Sequence, residues 1–229
     1  MEQSLNNVLG AHSSPDEVSF SPHFCRGHLP VAFVFSAPGK EEVFAGRPVA
    51  GDTGTNLDLA LVRLHSAQAE LFRSLDRYDY RITNASSKPF ARSLGHSTSE
   101  APNTEIRAPR NVRRVLQEVE DCRLVVLGGK KAGLLAQEIQ ASRKTVVEVP
   151  HVGNQGLNGT FEVPNHLKLA TPLARREHRV QLWADAVLRA IAGESAQHSY
   201  VAGWGRDVPR IGPAMDCETT GNDGWPWAE

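Results

Sequence analysis

The sequence predicts an α/β fold: a three-layer α/β/α sandwich around a mostly parallel four-stranded sheet. Two observations lead there. Short apolar segments of strand length alternate with segments whose apolar residues recur at helical spacing, and a polar, glycine-bearing loop follows most of the strands. Residues 31–35, VAFVF, form a continuous apolar run, the pattern of a strand buried on both faces. Leu57, Leu61, Leu64 and Leu71 then mark a helix, and residues 78–83, YDYRIT, a second strand. Val112, Val115, Leu116 and Val119 give a second helix, and residues 123–128, RLVVLG, a third strand. Leu134, Leu135 and Ile139 give a third helix, followed by the strand TVVEV at 145–149. A last helix over 172–192 carries Leu173, Val180, Trp183, Val187 and Ile191, with Thr171 as cap and Pro172 in the first turn.

These elements lie in residues 1–193, read as one domain; residues 194–229 form an irregular tail rich in glycine and proline that holds Trp204, Trp225 and Trp227. Residues 85–105 make a Ser-, Pro- and Ala-rich loop, long for a compact domain and therefore functional or mobile. A chain of 229 residues, 40% of them hydrophobic, can build one full core. No apolar run reaches the roughly 20 residues of a membrane span, and the first residues lack a basic start and an apolar stretch, so a cytoplasmic protein without a membrane partner is expected. Cys25, Cys122 and Cys217 are far apart and form no Cys-x-x-Cys pair, which argues against a disulfide framework, a zinc site or an iron-sulfur cluster. No metal or cofactor is expected. A formal net charge of −1 exerts no global pull on nucleic acid, although a local groove of Lys and Arg supplies phosphate contacts on a neutral surface.

In open parallel sheets ligands bind at the carboxyl ends of the strands. Ser36-Ala37-Pro38-Gly39-Lys40 follows the first strand, Asn84 closes the second, Gly128-Gly129-Lys130-Lys131 ends the third, and His151-Val152-Gly153-Asn154-Gln155-Gly156 follows the fourth. All four loops should gather at one edge. Residues 33–57, FVFSAPGKEEVFAGRPVAGDTGTNL, hold far more glycine, proline and carboxylate than a chain reversal needs.

The order of these motifs resembles the uracil-DNA glycosylase superfamily over about residues 31–192, most closely its family four. That family carries Gly-Glu-Ala-Pro-Gly after the first strand, a Glu three residues further, and Gly-Arg-Pro-Phe-Val-Gly-x-x-Gly. Here the same frame reads Phe35-Ser36-Ala37-Pro38-Gly39, Glu42 and Gly46-Arg47-Pro48-Val49-Ala50-Gly51-Asp52-Thr53-Gly54, with identical spacing. Thr83-Asn84 resembles the family's base-reading Thr-Asn, Val126-Leu127-Gly128 its Ala-Leu-Gly strand end, and His151-Val152-Gly153 its His-Pro-Ser loop. The departures are as informative. Ser36 stands where family four has a carboxylate, Val49 where it has a stacking Phe, the Pro-Ser of the last motif is missing, and the four cluster cysteines are absent. Asp52, in Gly51-Asp52-Thr53-Gly54, resembles the acid of family five.

The resemblance implies a DNA glycosylase that flips a pyrimidine out of the stack and hydrolyses its glycosidic bond. Asp52, or Glu42 as second choice, would orient water and balance positive charge on the sugar. His151 would donate toward the departing base or a neighbouring phosphate, and Asn84 would pair with the base edge. Ser36, Ala37, Pro38, Gly39 and Val49 would frame the base; Arg47, Lys130, Lys131, Asn154 and Asn158 would contact DNA. Each residue type also has an ordinary use. Asp52 fits a helix cap, Glu42 a brace for its loop or a partner for Arg47, Asn84 a strand-end turn, and His151 a structural histidine. Arg107, Arg110, Arg113 and Arg114 read as a phosphate strip or as solvated arginines.

With Val49 and Ser36 replacing a ring and a charge, a bulky modified pyrimidine, such as the hydroxymethylated or glucosylated cytosine of some phages, is the expected base. Defence against phage would follow, with a monomer acting on DNA. Uracil-excision repair, a catalytically inactive DNA-binding or base-sensing module, and a nucleotide-processing enzyme of generic doubly wound fold are the alternatives.

Overall fold

A computed structural model describes residues 20–193, apart from residues 97 and 99; the tail and its three tryptophans lie outside the described residues. The fold is α/β, built on a six-stranded mixed sheet in the order β1-β2-β4-β3-β5-β6. The strands are β1 (Phe20–Ser21), β2 (Phe24–Cys25), β3 (Val31–Phe35), β4 (Arg81–Asn84), β5 (Leu124–Gly128) and β6 (Thr145–Val149). The last four run parallel, as the sequence predicts. The sheet nevertheless has six strands rather than four, because β1 and β2 add an antiparallel edge beside β4. Two-residue strands hold no period to read. The second strand is also shorter than expected, since residues 77–79 wind into a 3₁₀ turn before β4 begins.

Between the strands lie α1 (Lys40–Ala45), α2 (Asp52–Ala67), α3 (Asn103–Ile106), α4 (Pro109–Glu118), α5 (Lys130–Gly133), α6 (Ala136–Ala141), α7 (Asn154–Thr160) and α8 (Pro172–Ile191). Side chains of β3 alternate between two cores. Val31, Phe33 and Phe35 pack with α2 and α8, while Ala32 and Val34 pack with α4 and α6. Helices therefore cover both faces, and no strand-face residue of β3 meets water. The third helix of the sequence reading is two short ones, α5 and α6. Leu71 lies beyond the end of α2, and Leu173, expected in the apolar face of α8, is 58% exposed. Thr171 caps α8 as expected, its hydroxyl accepting from the Ala174 amide at 3.2 Å. Among the described residues no helix is long and apolar enough to cross a membrane.

The strand order makes β3 and β5 the switch point. The chain leaves β3 for one face of the sheet through α2, and leaves β5 for the other through α6. In open parallel sheets the loops diverge at such a point, above the carboxyl ends of the strands. The start of α2 is held there by backbone contact: a Cβ on Gly54 would lie 1.8 Å from the Val49 carbonyl oxygen and 2.9 Å from Cζ of Arg77. Val49 itself sits at φ 46°, a conformation that costs a β-branched residue of order 1–2 kcal/mol, while its side chain is buried in the core. Gly54→Ala should therefore lower stability by about 2–3 kcal/mol, read as a fall of about 5–10 °C in the melting temperature.

Candidate functional site

Ser36 is the first residue beyond β3. Its carbonyl accepts from the Ser86 amide at 2.9 Å, and the Pro38 carbonyl accepts from the Phe90 amide at 2.9 Å. The long loop after β4 is thus folded back on the 36–38 turn. The Ser36 hydroxyl is buried and finds no hydrogen-bond partner among the described residues. Its hydrogen-bonding capacity is therefore unused. Ala37, Pro38 and Gly39 continue the turn into α1.

Glu42 takes the brace role. One carboxylate oxygen accepts from the Gly39 amide at 2.9 Å and the other from the Ala50 amide at 3.1 Å, tying together both ends of the 39–50 loop. Arg47 does not pair with it. Its guanidinium lies 5.2 Å from the centre of the Tyr78 ring. Val49 faces the core, 4% exposed, so its side chain does not frame a base as expected.

Asp52 is the first residue of α2, but the cap is Gly51, and the Asp52 carboxylate makes no capping bond to its own helix. Its side chain is 67% exposed. One oxygen accepts from Nδ2 of Asn154 at 2.8 Å, and the other lies 3.7 Å from Nη2 of Arg176. The position at the helix start favours its negative charge. Behind it lies Asn56, fully buried. Its Nδ2 donates to the Val152 carbonyl at 2.8 Å and to Oδ1 of Asn154 at 3.1 Å, while its Oδ1 accepts from Nε of Arg176. One amide thus joins α2, the loop after β6 and α8.

His151 follows β6, half-buried, with its ring edge-on to Phe35 at 5.4 Å between centres. Its Nδ1 accepts from the Gly153 amide at 2.9 Å, which puts the proton of the neutral ring on Nε2. Burial brings its pKa down to about 4. Four glycines make this seat. A Cβ would fall 2.8 Å from the Phe35 ring at Gly128, 3.1 Å from His151 Cβ at Gly129, 2.9 Å from His151 Nδ1 at Gly153, and 2.1 Å from the His151 carbonyl oxygen at Gly156. Gly153 also lies against Thr53 Oγ1, which links His151 to the segment that carries Asp52.

Asn84 ends β4 beside Phe35, 3% exposed. Its carbonyl accepts from Nη2 of Arg114 at 2.8 Å, and Arg114 also pairs with Glu118. Arg114 therefore leaves the proposed arginine strip and joins a network under the strand end, while Arg107, Arg110 and Arg113 are exposed. Lys131 reaches Asn103 Oδ1 at 2.8 Å, which ties it to α3 rather than leaving it directed at a ligand. Lys130 is exposed at the start of α5, and Asn158 on α7.

Asp52, Asn154, His151, Ser36 and Asn84 thus share one sheet edge; Glu42, Arg47 and Lys131 hold the loops around it. Sequence reasoning missed Asn56 and Arg176, and placed Arg114 in a strip it does not join. Asn56 had a signal, since it stands four residues before Ala60 and eight before Leu64 on the buried stripe of α2, where an amide needs partners. No protein-family model and no curated protein matches this chain.

Two outcomes follow from this geometry. Asn56→Ala should cost about 1–3 kcal/mol for each buried partner it orphans, measured by denaturant unfolding. The lowered pKa of His151 means that the unfolded chain binds the extra proton first. Stability from this group is complete above pH 6.5 and is lost as pH falls toward 4. A His151→Gln variant should show a shallower fall in melting temperature over that window.

Proposed function

We propose that this protein is a monofunctional DNA glycosylase acting on a pyrimidine flipped out of the strand. The observation that carries the reading is the pairing of an exposed carboxylate with a neutral imidazole at one sheet edge: Asp52 fixed by Asn154 at 2.8 Å, and His151 with Nδ1 occupied. Hydrolysis of a glycosidic bond asks for these two groups. Asp52 accepts the proton of a water whose oxygen attacks C1′, and its charge balances the oxocarbenium character of the sugar. The C1′–N bond breaks with its electron pair leaving on the base. His151 donates Nε2–H toward the base carbonyl oxygen where that charge gathers, and being neutral it needs no proton from solvent. Asn84, fixed through its backbone by Arg114, reads the base edge, and the open Ser36 hydroxyl adds one hydrogen bond.

The resemblance to the uracil-DNA glycosylase superfamily supports the same chemistry within a three-layer frame. Ser36 in place of a carboxylate supports a modified pyrimidine as the base, with phage DNA as its source; the buried Val49 side chain lends no room to that choice. The enzyme would act as a cytoplasmic monomer on DNA.

Oligonucleotides containing uracil, hypoxanthine, hydroxymethylcytosine or glucosylated hydroxymethylcytosine, incubated with the purified protein, test the proposal by mass spectrometry of released base. Release of a modified cytosine is expected, reduced about 10²-fold or more in Asp52→Asn. Preferential release of uracil would return the protein to uracil repair. Intact DNA binding without release of any base would leave a base-sensing module.

A further inference from the structure

Beside Asp52 a groove of about 440 Å³ runs between α7 and the first turns of α8, lined by Asn154, Asn158, Leu173, Arg175, Arg176 and Arg179 among others. We propose that this groove binds the phosphodiester backbone of the strand that carries the target nucleotide, which rests on the DNA reading above. Three arginines on two turns of one helix are costly neighbours unless an anion lies among them. Among the described residues the only carboxylate within ion-pair distance of the three is Asp52, 3.7 Å from Arg176. The groove is therefore short of negative charge.

The guanidiniums are also held in place. Nη1 of Arg175 donates to the Lys168 carbonyl at 2.9 Å, Nε of Arg179 to the Phe161 carbonyl at 2.9 Å, and Nε of Arg176 to Asn56. All three side chains are half-buried, so the rotamer entropy that a free surface arginine loses on binding is largely lost already. A guanidinium carries five N–H donors, and these bonds leave most of them to a ligand with several oxygens. Phosphate matches that fork in both charge and shape. The groove's volume exceeds that of one phosphate, and Pro172 and Leu173 form an apolar side. That suits a sugar-phosphate segment lying along it. Asn154 both lines the groove and holds Asp52, so a strand seated here has its next nucleotide at the carboxylate.

Fluorescence anisotropy with a labelled duplex, over a series of salt concentrations, tests this. Arg175→Gln with Arg179→Gln should reduce the slope of log K against log salt by about 1.8, the value for two phosphate contacts. Arg175→Lys with Arg179→Lys, which loses the backbone hydrogen-bond geometry but keeps the charges, should retain most of the slope. An unchanged slope in the Gln variant, or an equal loss in the Lys variant, would overturn the groove as a phosphate site. Displacement of the duplex by inorganic phosphate at fixed ionic strength, as effective as displacement by unlabelled oligonucleotide, would overturn the strand in favour of a single-anion site. Failure of the unaltered protein to bind any DNA would remove the glycosylase reading as well; base release with an unaltered slope in the Gln variant would remove the groove alone.

Discussion

One buried amide holds the candidate site together. Asn56 sits on the core side of α2 with no access to water, and its donors and acceptor bind two other pieces of chain, the 151–154 loop and α8. In such a place each bond is worth more than on the surface, and each orphaned partner costs more. The positions of Asp52, of the 151–154 loop and of the first turns of α8 all follow from it. Trp183 adds a second tie, its indole N–H donating to the Pro150 carbonyl at 2.7 Å and fixing α8 to the end of β6.

The imidazole of His151 depends on a different constraint, the absence of side chains around it. Glycines at 128, 129, 153 and 156 let Phe35, Thr53 and the backbone close on the ring. The same closeness excludes solvent, and exclusion of solvent is what keeps the ring uncharged at neutral pH. Packing and acid-base chemistry are one fact here. Asp52 has the opposite setting, open to water at a helix start.

Much of this was readable in advance. Two of the four parallel strands were legible because a strand buried on both faces must be apolar throughout, as VAFVF at 31–35 and LVVLG at 124–128 are. Thr171 as a cap was legible because its role is local. The β1–β2 edge was not, since two residues carry no alternation, and Leu173 misled because its place in the period fits a buried stripe that only the neighbouring α7 could supply. At the site, Asn84 and His151 were singled out from their position at strand ends, and Asp52 from the resemblance of Gly51-Asp52-Thr53-Gly54. Their partners Arg114, Arg176 and Asn154 lie about 30, 125 and 100 residues away from what they touch, and no local pattern encodes such a pairing.

By itself the sequence determined the four parallel strands and the long helices between and after them, that polar loops follow those strands, and therefore at which end of the sheet the loops gather. These depend on side-chain period and on turn residues, which are properties of neighbours in the chain. Only the tertiary structure decided that Glu42 braces its loop, that Val49 turns inward, that His151 is neutral and that three arginines of α8 line a groove beside Asp52. Burial, hydrogen-bond partnership and local charge are set by what the fold brings close, and a residue's identity fixes none of them.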